Sequence, residues 1–104
     1  MGNLAFVERV LNKFQEQGDA DLDKLEQAMA DGDVEQVASL AHRMKGASAN
    51  ASASRVRERA AQLEDAARGS AQGGIPDCLT ELRGEWNRFR SVAEQLTSSA
   101  VRAE

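Results

Sequence analysis

The chain has 104 residues and a formal net charge of −4, and it is rich in good helix formers such as Ala, Glu, Leu, Gln and Arg. Its length fits one domain over residues 1–104, and the mild negative charge disfavours nucleic acid as a partner. The single cysteine, Cys78, excludes an internal disulfide. No apolar run approaches the roughly 20 residues needed to cross a bilayer. The helix-forming composition predicts an all-α domain, and we expect it in the cytoplasm.

Apolar spacing predicts two helical segments before the first clear turn. The first runs from about Leu4 to Gln17 and carries one apolar stripe, made of Leu4, Val7, Leu11 and Phe14. Gly18 followed by Asp19 predicts either a break or only a bend, because a terminating glycine and a new capping residue stand together there. The first segment would then pack across one end of the bundle or extend the second. The second segment covers residues 20–30, and its apolar face is made of Leu22, Leu25 and Met29.

A third helix is predicted from Val34 to about Asn50, after the turn at residues 31–33, with Asp33 as its N-terminal cap. Its inward stripe is made of Val34, Val37, Ala41, Met44 and Ser48. At about 100° per residue, the only histidine, His42, points roughly 120° away from the centre of that stripe. We therefore expect His42 on the outside, Gly46 facing nearly the same way, and Ala38, Lys45 and Ala49 beside them.

The fourth helix is predicted over residues 55–68, with Ser54 as its cap and Gly69 at its end. A flexible loop over residues 69–74 leads to the fifth helix, which begins near Pro76 and ends near Ser98. The inward stripe of this last helix is made of Leu79, Leu82, Trp86, Phe89, Val92 and Leu96. Short connections between amphipathic helices predict an antiparallel up-down four-helix bundle with an additional N-terminal helix.

The outer face around His42 carries the residues that suggest a function. Imidazole is a good nucleophile near neutral pH, and phosphoryl transfer needs a positioned nucleophile and stabilisation of charge. Lys45, one turn further along, can supply positive charge. A glycine inside a helix costs about 1 kcal/mol relative to alanine, so Gly46 needs a reason, either access for a partner or a close helix contact. One histidine and one distant cysteine offer no metal site.

The segment AHRMKGASAN, residues 41–50, resembles the signature of histidine-containing phosphotransfer (HPt) domains, broadly HxxKGxSxxxG. The helix order, the Gly-Asp turn before the histidine helix and the Leu63-Glu64 pair are also similar, and the resemblance covers roughly residues 4–96. Many members have a glycine where this chain has Ser52. The resemblance implies that His42 is the phosphoacceptor, Lys45 the charge partner and Gly46 the access residue. It further implies supporting positions at Ser48, Ala49 and Asn50, and partner contacts at Ala38, Arg43 and Ala49.

The same resemblance implies a function in a phosphorelay. Such a domain has no kinase activity, and it takes a phosphoryl group from an aspartate of a response-regulator receiver domain and passes it to another receiver. The receiver holds the Mg²⁺, so no cofactor is expected on this chain. Receiver domains and a hybrid sensor kinase are the expected partners, and the domain is expected to be a monomer.

Two alternatives follow from the same residues. The bundle could be an adaptor that binds a receiver or sensor kinase without being phosphorylated, although such an adaptor has no need of the histidine. It could also be the dimerisation domain of a sensor kinase, in which the phosphorylated histidine is usually followed by an acidic residue. Arg43 occupies that position here, which disfavours the second alternative.

Overall fold

The computed structural model describes residues 2–51, 53–69 and 72–103, and the side chains of residues 5–51, 53–69 and 73–95. The described residues form four α-helices and no strand: α1 (Gly2–Asp31), α2 (Val34–Asn50), α3 (Ser54–Arg68) and α4 (Ile75–Ala103), with a 3-10 turn (Gln72–Gly74) before α4. Each helix packs against the next along the chain, and α4 closes the ring against α1. The predicted all-α four-helix bundle is confirmed.

A full break at Gly18 is not found, because α1 continues through it, so the first predicted segment extends the second. A Cβ atom at Gly18 would lie 2.1 Å from Cη2 of Trp86, so the glycine lets the indole ring pack directly against the α1 backbone. The neighbouring Asp19 accepts a hydrogen bond of 2.8 Å from the indole Nε1–H. The additional N-terminal helix is therefore the first half of α1.

The turn between α1 and α2 forms as predicted. Gly32 adopts a φ of 71°, a left-handed conformation that glycine tolerates best, and the Asp33 N–H donates to the Ala28 carbonyl at 2.9 Å. Asp33 Oδ1 then accepts from the N–H of Gln36 at 3.1 Å, which caps α2.

The other predicted helix ends are confirmed in part. Gly69 ends α3 as predicted, and Pro76 lies in the first turn of α4. Ser54 is the first residue of α3 and not its side-chain cap, since Ala53 holds the cap position without a side-chain bond. The helix α4 extends past Ser98 to Ala103, and Ser52 lies outside the described residues.

The core lies between the central turns of the helices. Its largest fully buried side chains come from all four helices and include Trp86, Leu22, Leu25, Met44, Leu63 and Leu82. Trp86 also packs on two further rings, with centroids 5.1 Å from Phe14 and 5.8 Å from Phe89. These contacts confirm the central part of each predicted stripe.

The outer ends of two predicted stripes are exposed. Val7 and Val92 were expected to face inward, but about half of each side chain lies in solvent. The reason is length: α1 and α4 have 30 and 29 residues, whereas α2 and α3 have 17 and 15. At about 1.5 Å per residue, the two long helices project beyond the two short ones at the end where Val7 and Val92 lie. Met29, near the opposite end of α1, is also exposed, and Ala28 is buried in its place.

The side chains of Leu4 and Leu96, which end the predicted stripes, lie outside those described. Within the described part of the chain, no helix is long and apolar enough to cross a membrane.

Candidate functional site

The imidazole of His42 stands on the outer face of α2, midway along the helix. Its neighbours Ala41 and Met44 are buried in the core, whereas the His42 side chain is 64% exposed. The predicted outward orientation is confirmed. A reacting group on another protein can therefore reach this ring without any change in the bundle.

A buried carboxylate on α3 holds the ring in place. Glu64 is only 6% exposed, and its Oε2 lies 3.0 Å from Nδ1 of His42. The Lys45 ammonium lies 2.7 Å from Oε1 in an ion pair, and Nε of Arg68 donates to Oε2 at 2.9 Å. One carboxylate thus gathers an ion-pair partner and two N–H groups from two helices; we call His42, Lys45, Glu64 and Arg68 the Glu64 cluster.

The donors determine the charge of this carboxylate. The contact with Lys45 is the main reason that the pKa of Glu64 falls from 4.5 to about 2, against the effect of burial, and Arg68 and His42 lower it further. Glu64 is therefore ionised at neutral pH and can only accept hydrogen bonds. It follows that Nδ1 of His42 carries the proton, so the free lone pair of the neutral ring is on Nε2.

The sequence pattern around His42 gives Glu64 no role in the site, because the two residues lie on different helices. The contact joins residues 22 positions apart in the chain. One signal was present: Glu64 follows Ala60 by four positions and Leu63 by one, which places a carboxylate on the flank of an apolar stripe. Such a residue is rarely buried unless it is paired.

The surface at Gly46 is open. A Cβ atom added there would meet no other atom within 4 Å, apart from its own helix backbone. A close contact with another helix therefore does not explain this glycine. Because Gly46 has no side chain, nothing projects from the helix surface one turn away from His42.

The remaining predicted site residues fall into two groups. Ala49 and Asn50 are exposed at the end of α2. Ser48 is fully buried and donates its hydroxyl to the Met44 carbonyl at 2.7 Å, so its polar group is satisfied within α2 and does not face a partner. Ala38 is also buried, so the structure places it in the core and not on the surface beside His42, and the expected partner contact there stays a prediction. The inward arc of α2 is wider than predicted because α1 and α3 both pack against this helix.

Arg43 links the site to the first helix. Its guanidinium pairs with Asp21 of α1, through Nη2 to Oδ1 and through Nε to Oδ2 at 3.4 Å. Asp21 is buried, whereas about half of the Arg43 side chain remains exposed. Arg43 thus ties α1 to α2 directly beside His42, and its outer edge still lies on the surface that carries the histidine.

An exposed histidine on a four-helix bundle, held by a buried carboxylate and next to a bare glycine, defines a class of helical domain that presents one imidazole ring on its surface. A comparison with protein families matches residues 9–98 to the family described as Hpt domain. The match covers most of the chain, and the chain belongs to this family. A comparison with curated proteins and one with solved structures gave no significant match.

Membership in the Hpt family indicates the process in which the chain takes part. Hpt domains act in phosphorelay signalling, and in general they interact with receiver domains and kinases.

Proposed function

We propose that this domain is a phosphorelay intermediate whose His42 accepts a phosphoryl group on Nε2 from the aspartyl phosphate of a receiver domain and passes it to a second receiver. The observation that carries the proposal is the exposed ring whose Nδ1–H is bound by Glu64 at 3.0 Å. That bond fixes the ring orientation and leaves the Nε2 lone pair free for attack.

The transfer step needs no proton to move. The Nε2 lone pair forms the N–P bond while the P–O bond to the receiver aspartate breaks, and the aspartate leaves as a carboxylate. Nδ1 keeps its proton, so the ring of the phosphorylated His42 carries a positive charge. The Glu64 carboxylate stabilises this charge through a charge-assisted hydrogen bond. Return transfer reverses the same bonds and again requires no base.

This chain and its partner would divide the remaining work. Phosphoryl transfer depends on positioning and on stabilisation of the charge on the transferred oxygens, and the receiver would supply its acidic pocket and Mg²⁺. The low surface at Gly46 and Ala49 lets that pocket approach His42. Lys45 balances the buried Glu64 and also adds positive charge near the ring.

The test uses a receiver domain phosphorylated with a radioactive label. After incubation, wild-type protein should carry an acid-labile label, while His42→Gln should carry none. Since His42 is the only histidine, the loss assigns the label to one residue. Glu35→Gln, at an exposed position in the first turn of α2, is the matched control and should be labelled as well as wild type.

Equal labelling of His42→Gln and wild type would refute the proposal. A wild-type protein that binds receivers but takes label from none of them would instead support the adaptor alternative.

A further inference from the structure

Arg68 and His42 share one oxygen of the Glu64 carboxylate, although the two residues lie on different helices. Nε of Arg68 and Nδ1 of His42 approach the same oxygen, Oε2 of Glu64, at 2.9 and 3.0 Å. The Arg68 side chain is 57% exposed, compared with 64% for His42. Both groups therefore lie at the same opening of the Glu64 cluster toward solvent.

Arg68 has more N–H donors than its contact with Glu64 uses. Its contact with Glu64 uses Nε, and a guanidinium carries four more N–H groups on its two Nη atoms. A planar fork of this kind matches the oxygens of a phosphoryl group with two parallel hydrogen bonds. Lys45 is less exposed, at 37%, and its ammonium lies on the other oxygen of Glu64.

We propose that Arg68 is a phosphoryl-binding residue of this site, an inference that rests on the proposed function of His42. Its Nε stays on Glu64, while its Nη groups donate to non-bridging oxygens of the phosphoryl group that His42 receives. No bond to Arg68 forms or breaks. Its positive charge stabilises the oxygens that carry the charge during transfer, and Glu64 stabilises the positive ring on the other side.

A purely structural role for Arg68 makes a different prediction. The residue occupies the last turn of α3 and forms an (i, i+4) pair with Glu64, and both features stabilise a helix. If that were its whole role, replacing Arg68 would lower the stability of the domain but would leave the phosphorylation of His42 unchanged.

The experiment uses phosphoramidate, a small phosphoryl donor, so that docking of a receiver does not enter. The N–P bond of the donor breaks as the bond from His42 Nε2 to phosphorus forms, and ammonia leaves. Phosphohistidine is followed by phosphorus NMR for wild type, Arg68→Gln, Arg68→Lys and Arg55→Gln. Arg55 is an exposed arginine at the opposite end of α3, so its variant matches the charge change away from the site.

We expect Arg68→Gln to lower the second-order rate constant about tenfold, a modest fraction of the effect of removing one donor from an enclosed anion site. Arg68→Lys keeps the charge without the planar fork and should fall between Arg68→Gln and wild type, while Arg55→Gln should match wild type. Urea unfolding of each variant shows whether the domain is folded at the assay temperature.

Equal rate constants for Arg68→Gln and Arg55→Gln would overturn the inference. If Arg68→Gln does not fold, Arg68→Lys decides, and a rate constant equal to wild type would contradict two-point contact with the phosphoryl group. Failure of the proposed function has a separate signature: wild-type protein would then take no phosphoryl group on His42 from phosphoramidate or from a phosphorylated receiver.

Discussion

The carboxylate of Glu64 couples the stability of the fold to pH. Its pKa is about 2 in the folded domain, compared with 4.5 for an ordinary glutamate, so the folded state resists protonation. The stabilisation is fully present above about pH 4.5 and is lost as the pH falls toward 2. The difference between these pKa values corresponds to about 3 kcal/mol. Since Lys45 and Arg68 are more than a third exposed, screening by water reduces the expected value to about 2 kcal/mol.

Glu64→Gln tests this reasoning, with Glu58→Gln as a control at an exposed position on the same helix. Urea unfolding at pH 7 should show the Glu64 variant less stable than wild type by about 2 kcal/mol. At pH 3 the gap should shrink below about 1 kcal/mol, because much of the wild-type advantage has been lost. The Glu58 variant should follow wild type at both values. A gap that is absent at pH 7, or that keeps its size at pH 3, would refute the reasoning.

Substitutions at Gly46 and Gly18 test two different properties, access to His42 and packing against Trp86. Gly46→Gln should slow transfer from a phosphorylated receiver at least about tenfold, because a side chain beside His42 keeps the receiver from the geometry that the reaction needs, and it should leave the phosphoramidate rate unchanged. Gly84→Gln, at a similarly open helical position, is the control. Equal receiver rates for the two variants would contradict access over this surface. Gly18→Ala should lower the free energy of unfolding by about 1–3 kcal/mol through overpacking against Trp86, whereas Gly84→Ala should raise it by up to about 1 kcal/mol. Equal unfolding midpoints for the two alanine variants would show that the Trp86 ring can move aside.

Local patterns predicted the parts of the structure that depend on one helix at a time. The outward position of His42 follows from helical phase alone, and the cap at Asp33 follows from two residues three positions apart. Gly18 was misinterpreted because a glycine that ends a helix and one that admits a ring look the same in a sequence. The burial of Ala38 depends on how widely α1 and α3 cover α2, which the spacing on α2 does not contain.

The arrangement of the Glu64 cluster could not be predicted from the residue pattern of a single helix. A carboxylate buried without partners is strongly unfavourable, so Glu64 can occupy the flank of an apolar stripe only when donors surround it. Two of its partners, His42 and Lys45, come from α2, and the third, Arg68, comes from α3 itself. Packing of α2 against α3 therefore both satisfies the buried charge and orients the His42 ring. Folding alone therefore sets the tautomer of His42, the one that the proposed transfer requires.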